Sequence, residues 1–129
     1  MKLIYETIYE KLEKLGILDV EEYKKFTSGG FMDLSVDVLT DNKESKRIAI
    51  AHNYIQNGDV MADPDMEIKI HKELKMAEAM TYQQDGLGIF QRVYNDDETK
   101  VNPKLKRQLN SFLNTWLTNL KNQGFGRGN

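Results

Sequence analysis

The sequence predicts an α+β fold: a two-layer domain in which an antiparallel five-strand meander is flanked by an N-terminal helix, with a short second helix, and a long C-terminal helix. Three observations lead there. Apolar residues recur at helical spacing near the two ends, at Ile4, Ile8, Leu12 and Leu15 and again at Leu105, Leu109, Phe112, Leu113, Trp116, Leu117 and Leu120. Between them the period changes to two, as in Ile48, Ile50, His52 and Tyr54 and in Met66, Ile68 and Ile70. Strands with one oily face each, and an amphipathic helix at either end, are most economically buried by laying the helices over one side of the sheet.

Residues 2–15 form the first helix, with Glu6, Glu10, Lys11, Glu13 and Lys14 on its wet side and Gly16 as its stop. Asp19 and Glu22 have the spacing of a capping box and predict a short helix through Phe26, which Gly29 and Gly30 end. Met32, Leu34, Val36 and Val38 alternate with polar residues and mark the first strand, and residues 41–45 are a polar turn. Strands at 48–55 and 66–70 make the central hairpin. Its connection carries Asn57 and Gly58, which take positive φ readily, and Pro64, which removes a ladder donor. A fourth strand over 76–84 sets Met76, Met80 and Tyr82 on one side and Ala77, Ala79 and Thr81 on the other. The turn 85–88 leads to a fifth over 89–94, apolar on both sides. Asn102 as N-cap and Pro103 at the first helical position open the last helix, and Gly124 stops it. A single domain over 1–124 is expected, followed by a flexible tail over 125–129.

A chain of 129 residues buries roughly two thirds of its unfolded surface without staples. Cysteine is absent, which excludes disulfides and thiolate chemistry. The first residues reach Glu6 without the apolar run of a signal peptide, and no stretch approaches the ~20 apolar residues of a membrane span, so a cytoplasmic protein that meets no membrane is expected. The net charge of −2 hides an uneven layout, because the first 98 residues hold all 20 acidic but only 12 of the 18 basic side chains. Such polarity marks either an acidic-partner or nucleic-acid surface or a complementarity within the fold.

Four groups of residues carry chemical leads. Asn57, Asp59, Asp63 and Asp65 crowd oxygen ligands into the hairpin connection, as a Mg²⁺ or Ca²⁺ site would, although Asp beside Gly, Asn and Pro is also an ordinary exposed turn. His52 and His71 invite a metal reading, but strand parity points one inward and the other outward, and no metal is assigned to them. His52, Glu78 and Gln84 share the even numbering of Ile50, Ile68 and Tyr82, and with Arg92 they form a candidate pocket in which His52 and Glu78 work as an acid/base pair. The simpler reading sets these groups at a sheet end where they reach water. Finally, Lys104, Lys106 and Arg107 suit phosphate contacts, with Tyr82, Phe90 and Tyr94 to stack bases. Cations in the first turns of a helix oppose its dipole and need a negative neighbour; residues 96–98 are the internal candidate. Nucleophile elbows, phosphate loops and cofactor motifs are absent from the sequence.

The runs His52 to Met66, Met80 to Tyr94 and Leu105 to Gly124 resemble a family of uncharacterised proteins carried on plasmids and conjugative transposons, mainly of gut bacteria. The likeness spans residues 30–124, and the stretch from Asn57-Gly-Asp to Asp63-Pro-Asp-Met66 is its most distinctive part. It implies an accessory role in a mobile element and supplies no catalytic residue. The sequence therefore reads as a small non-enzymatic binding protein that meets a protein or nucleic-acid partner, with an exposed sheet edge through which two copies can pair. Two alternatives stand beside it: a ligand binder or enzyme at His52 and Glu78, and divalent-metal binding by the Asp59 to Asp65 connection.

Overall fold

The central alternation does what its period requires: Ile48 lies opposite Ile68 and Ile50 opposite Met66 across two antiparallel strands. The computed structural model describes residues 1–126. In chain order it contains α1 (Ile4–Lys14), β1 (Tyr23–Phe26), β2 (Leu34–Asp41), β3 (Ser45–Gln56), β4 (Asp59–His71), β5 (Met76–Ala79), β6 (Thr81–Gln84), a 3-10 turn (Asp85–Leu87), β7 (Ile89–Arg92) and α2 (Pro103–Asn122). The strands make one antiparallel sheet in the order β1-β2-β3-β4-β6-β7, with β5 also paired to β4.

Seven strands replace the expected five for two reasons. Residues 19–26 are not helical: the backbone of residues 23–26 pairs with 34–37 of β2, and Phe26 is buried. Here the pairing of a β-prone Tyr-Lys-Lys-Phe segment overrides a local capping signal. The expected fourth strand breaks at Met80. Its N–H donates to the Glu67 carbonyl, but the next sheet pairing is Asp65 with Gln83, so one extra residue is accommodated between them. Such a bulge flips the parity of everything beyond it.

The long acidic connection also resolves differently. β3 and β4 continue to a two-residue turn, Asn57 at φ 53° and Gly58 at φ 84°, the left-handed pair that a tight hairpin demands. Asp59, Asp63 and Asp65 are therefore strand residues. A second bulge sets Asp63 and Pro64 together against His52, since Ala51 pairs with Asp65 and Asn53 with Ala62.

Both helices lie on the same face of the sheet. Ile8, Leu12, Leu113, Trp116, Leu117 and Leu120 join Val36, Ile48, Ile50, Met66 and Ile68 in one buried cluster. Asn102 caps α2 as expected, accepting from the Leu105 N–H at 3.1 Å. The expected tail from 125 begins too early, because Phe125 is buried at 2 % exposure and stacks 5.9 Å from the His52 ring. Residues 127–129 lie outside the described part of the chain. No helix among the described residues is long and apolar enough to cross a membrane.

Candidate functional site

A sheet covered on one side presents its other side to solvent, and register decides what stands there. Asp37 lies beside Ala49, which lies beside Glu67; Ser35 lies beside Ala51, which lies beside Asp65 and then Gln83. These residues alternate with the buried Val36, Ile48, Ile50, Met66 and Ile68 and so belong to the outer face. The small Ser35, Ala49 and Ala51 leave a shallow floor between carboxylates. Among the described residues no cation comes within salt-bridge reach of Asp37, Asp65 or Glu67. Burial, with the like charges of Glu67, Asp85 and Asp37, pushes the Asp65 carboxyl up to about 6.

Toward the other end of this face the sign changes. Arg47 on β3 and Lys69 on β4 are cross-strand neighbours, and Arg92 on β7 joins them through Thr81. The loop 95–100 folds back over them. Glu98 pairs with Arg47 and, at 3.4 Å, with Lys69, while Asp96 pairs with Arg92 at 2.5 Å. Asn95 braces the loop, its Oδ1 accepting from the Lys100 N–H at 3.0 Å and its Nδ2 donating to Thr99 at 3.1 Å. Between loop and sheet runs a cleft of about 430 Å³, lined among others by Thr40, Arg47, Thr81, Arg92 and Glu98. A smaller recess of about 190 Å³ adjoins it at Lys69, His71, Glu78 and Tyr94.

Glu78 sits in that recess, not beside His52. It stands across from Lys69 on the outer face, whereas its neighbours Ala77 and Ala79 face Ile70 and Ile68 in the core. Its Oε2 accepts from His71 Nε2 at 2.7 Å and its Oε1 from the Tyr94 hydroxyl at 2.5 Å, and Lys106 Nζ approaches at 3.7 Å. Burial alone would raise its pKa, but the bonds from Tyr94 and His71 and the charge of Lys106 outweigh burial and hold the carboxyl below its ordinary value. Lys106 also donates to Tyr94 at 2.8 Å and is held above its ordinary value, burial being outweighed by Tyr94 and Glu78. The network ties the first turn of α2 to the sheet. It supplies the negative neighbour that the helix dipole called for, from Glu78 rather than from 96–98.

His52 does point inward, as parity required. Its ring packs 5.5 Å from Trp116, its Nδ1 donates to the Asp33 carbonyl at 3.3 Å, and burial holds its pKa below the usual value despite that bond. The expected acid/base pocket is therefore dismantled, with His52 in the core and Glu78 on the opposite face. Tyr82 and Gln84 keep each other company on the inner side, the Tyr82 hydroxyl donating to Gln84 at 3.0 Å and its ring meeting Phe112 edge-on at 5.4 Å. Arg92 faces outward and binds Asp96.

The acidic residues of the hairpin are likewise not assembled. Asp59 stands at the tip, Asp63 lies where its charge acts on His52 and Tyr82, and Asp65 faces outward among Asp37 and Glu67. Among the described residues no group of three or more His, Asp or Glu side chains is placed to hold a metal ion. Of the basic trio on α2, Lys106 is committed to Glu78 and Tyr94, while Lys104 and Arg107 are exposed. Sequence reasoning missed Arg47, Lys69, His71 and Glu98 as members of a site. The signal lay in the shared outward parity of Arg47, Lys69 and His71 on β3 and β4, which was available for Lys69 and His71, whereas Glu98 lies in a loop and carries no such signal.

The molecule is thus a small α+β domain whose antiparallel sheet is helix-covered on one face and charged and open on the other. Its family can be stated as well. The pattern of a domain of unknown function, DUF6908, matches residues 4–126, and the chain belongs to that family. The match runs through Phe125 and Gly126, in keeping with their place in the fold. Comparison with curated proteins and with solved structures gave no match.

Proposed function

We propose that the chain is a small non-enzymatic binding protein, an accessory of a bacterial mobile element, and that it meets a basic protein partner across the open face of its sheet. One observation carries this reading: Asp37, Asp65 and Glu67 share the outer face with, among the described residues, no cation within salt-bridge distance of them, and burial together with the like charges of Glu67, Asp85 and Asp37 pushes the Asp65 carboxyl up to about 6. Like charges held together at a cost to the fold are a feature of binding sites. A Lys- or Arg-rich segment laid across the Ser35, Ala49 and Ala51 floor would relieve that repulsion. Nucleic acid fits this face poorly, because its centre is acidic and Lys106 is committed within the fold. The mobile-element setting rests on the resemblance of the sequence. Pairing of two copies through a sheet edge is less favoured, since the terminal strands β1 and β7 are only four residues long, β1 carries Lys24 and Lys25, and the Ala79 N–H of β5 already donates to Asn110 at 2.8 Å.

The test is fluorescence anisotropy with a labelled Lys/Arg-rich peptide, an Asp/Glu-rich peptide of equal length and a duplex DNA. The expected result is binding to the basic peptide alone, weakening with salt and falling about tenfold in an Asp65→Asn, Glu67→Gln variant. Tighter binding to DNA, or equal binding of both peptides, would overturn the reading.

A further inference from the structure

Arg47, Lys69 and Arg92 come from three different strands, yet their charged ends serve one short loop. The loop is acidic at three consecutive positions, Asp96, Asp97 and Glu98, and the residue reaching deepest holds a left-handed backbone, Glu98 at φ 59°. Side chains other than Asn, Asp and Gly rarely adopt that conformation. Here it lets one carboxylate bridge Arg47 and Lys69. The cleft beneath the loop, about 430 Å³, has the size of a small-ligand site and adds the hydroxyl side chains of Thr40 and Thr81.

We propose that Arg47, Lys69 and Arg92 form a binding site for the phosphate group of a small phosphorylated molecule, and that Glu98 and Asp96 occupy it in the unliganded protein. Two planar guanidiniums and an ammonium offer more donors than two carboxylates can use, and guanidinium forks match phosphate oxygens in pairs. The Arg92–Asp96 pair is exposed, at 46 % and 92 %, whereas the Glu98 side chain is less exposed, between Arg47 and Lys69. The exposed pair is weak, and a dianionic phosphate would replace at Arg47 and Lys69 the charge that Glu98 gives up. Asp65, with no cation in salt-bridge reach among the described residues, lies two residues beyond Glu67 and four beyond Lys69 along β4, so the ligand enters from the loop end. This inference is independent of the basic-partner reading, which rests on the other end of the face.

The probe is phenyl phosphate, titrated against chloride at equal ionic strength and followed by ¹H–¹⁵N NMR of the wild type, an Asp96→Asn, Glu98→Gln variant and an Arg47→Gln, Arg92→Gln variant. The expected shifts are confined to the amides around 47, 69, 92 and 95–98. Affinity rises about tenfold when the loop carboxylates are neutralised and is lost when the arginines are. No shifts in either the wild type or the loop variant, or shifts scattered over α2, would overturn the proposal. If the double arginine variant fails to fold, Lys69→Gln takes its place, and unchanged affinity there counts against the site.

Discussion

Asp65 is the residue at which stability and binding oppose each other most plainly. Its folded pKa of about 6 lies above the unfolded value of 3.8, so the ionised carboxyl destabilises the fold at any pH above about 6. That cost fades as pH falls through 6 and is gone below 3.8, where both states are protonated. Asp65→Asn should therefore stabilise the protein at pH 7.5 by about 1–2 kcal/mol, after discounting for solvent screening. Near pH 4 it should leave stability almost unchanged. Urea denaturation at the two pH values checks this, and a destabilised variant at pH 7.5 would show that the acidic row is not crowded. Glu78 has the opposite sign. Its folded pKa is depressed, so its contribution is present at neutral pH and lost as pH falls through the folded value. Glu78→Gln should lower stability at pH 7 by about 1 kcal/mol, with the loss shrinking in acid.

At the scale of elements, β5 shows how an edge strand is closed and why part of the site was hidden from sequence reasoning. The side-chain amide of Asn110, almost fully buried in α2, accepts from the Ala79 N–H at 2.8 Å and donates to the Lys106 carbonyl at 2.8 Å. Asn110→Ala would leave a buried N–H without a partner and should cost about 1–3 kcal/mol. Hydrogen exchange at Ala79 should speed up by the same free energy, and an unchanged rate would mean that water replaces the amide. The helix itself was legible because its signals are local: Asn102 and Pro103 at the start, the Leu105 to Leu120 stripe, Gly124 at φ 95° at the end. The register of Ile48 and Ile50 against Ile68 and Met66 was legible for the same reason, through an unbroken period of two. The bulges at Met80 and at Asp63-Pro64 were not, because a bulge is a relation between two strands and leaves no mark on either alone. One missed bulge sufficed to carry Glu78 to the wrong face, and with it the candidate pocket. β1 was hidden by a different cause, since its pairing with β2 is decided by Phe26 reaching the core.

On the scale of the whole molecule, the segment after α2 closes on the end of α1. Gly126, at φ 82°, passes so near Leu15 that a Cβ there would stand 2.9 Å from the Leu15 carbonyl oxygen. The Ser28 hydroxyl donates to the Gln123 carbonyl beside it. That path drops Phe125 against His52, which lies further along β3 than Arg47. Phe125 is 2 % exposed, while Phe112, on the same side of the sheet, is 40 % exposed. The two phenylalanines therefore separate hydrophobic content from closure. Phe125→Ala should cost about 3–5 kcal/mol through the cavity it opens, and Phe112→Ala no more than about 1–2 kcal/mol, because water already covers much of its ring. Gly126→Ala should add about 1–3 kcal/mol of destabilisation with no apolar surface lost, since it forces both backbone strain and a clash with an immobile carbonyl. Chemical denaturation of the three variants decides the matter. Equal costs for Phe125→Ala and Phe112→Ala, with a neutral Gly126→Ala, would mean that the segment after α2 rests on the core without closing it.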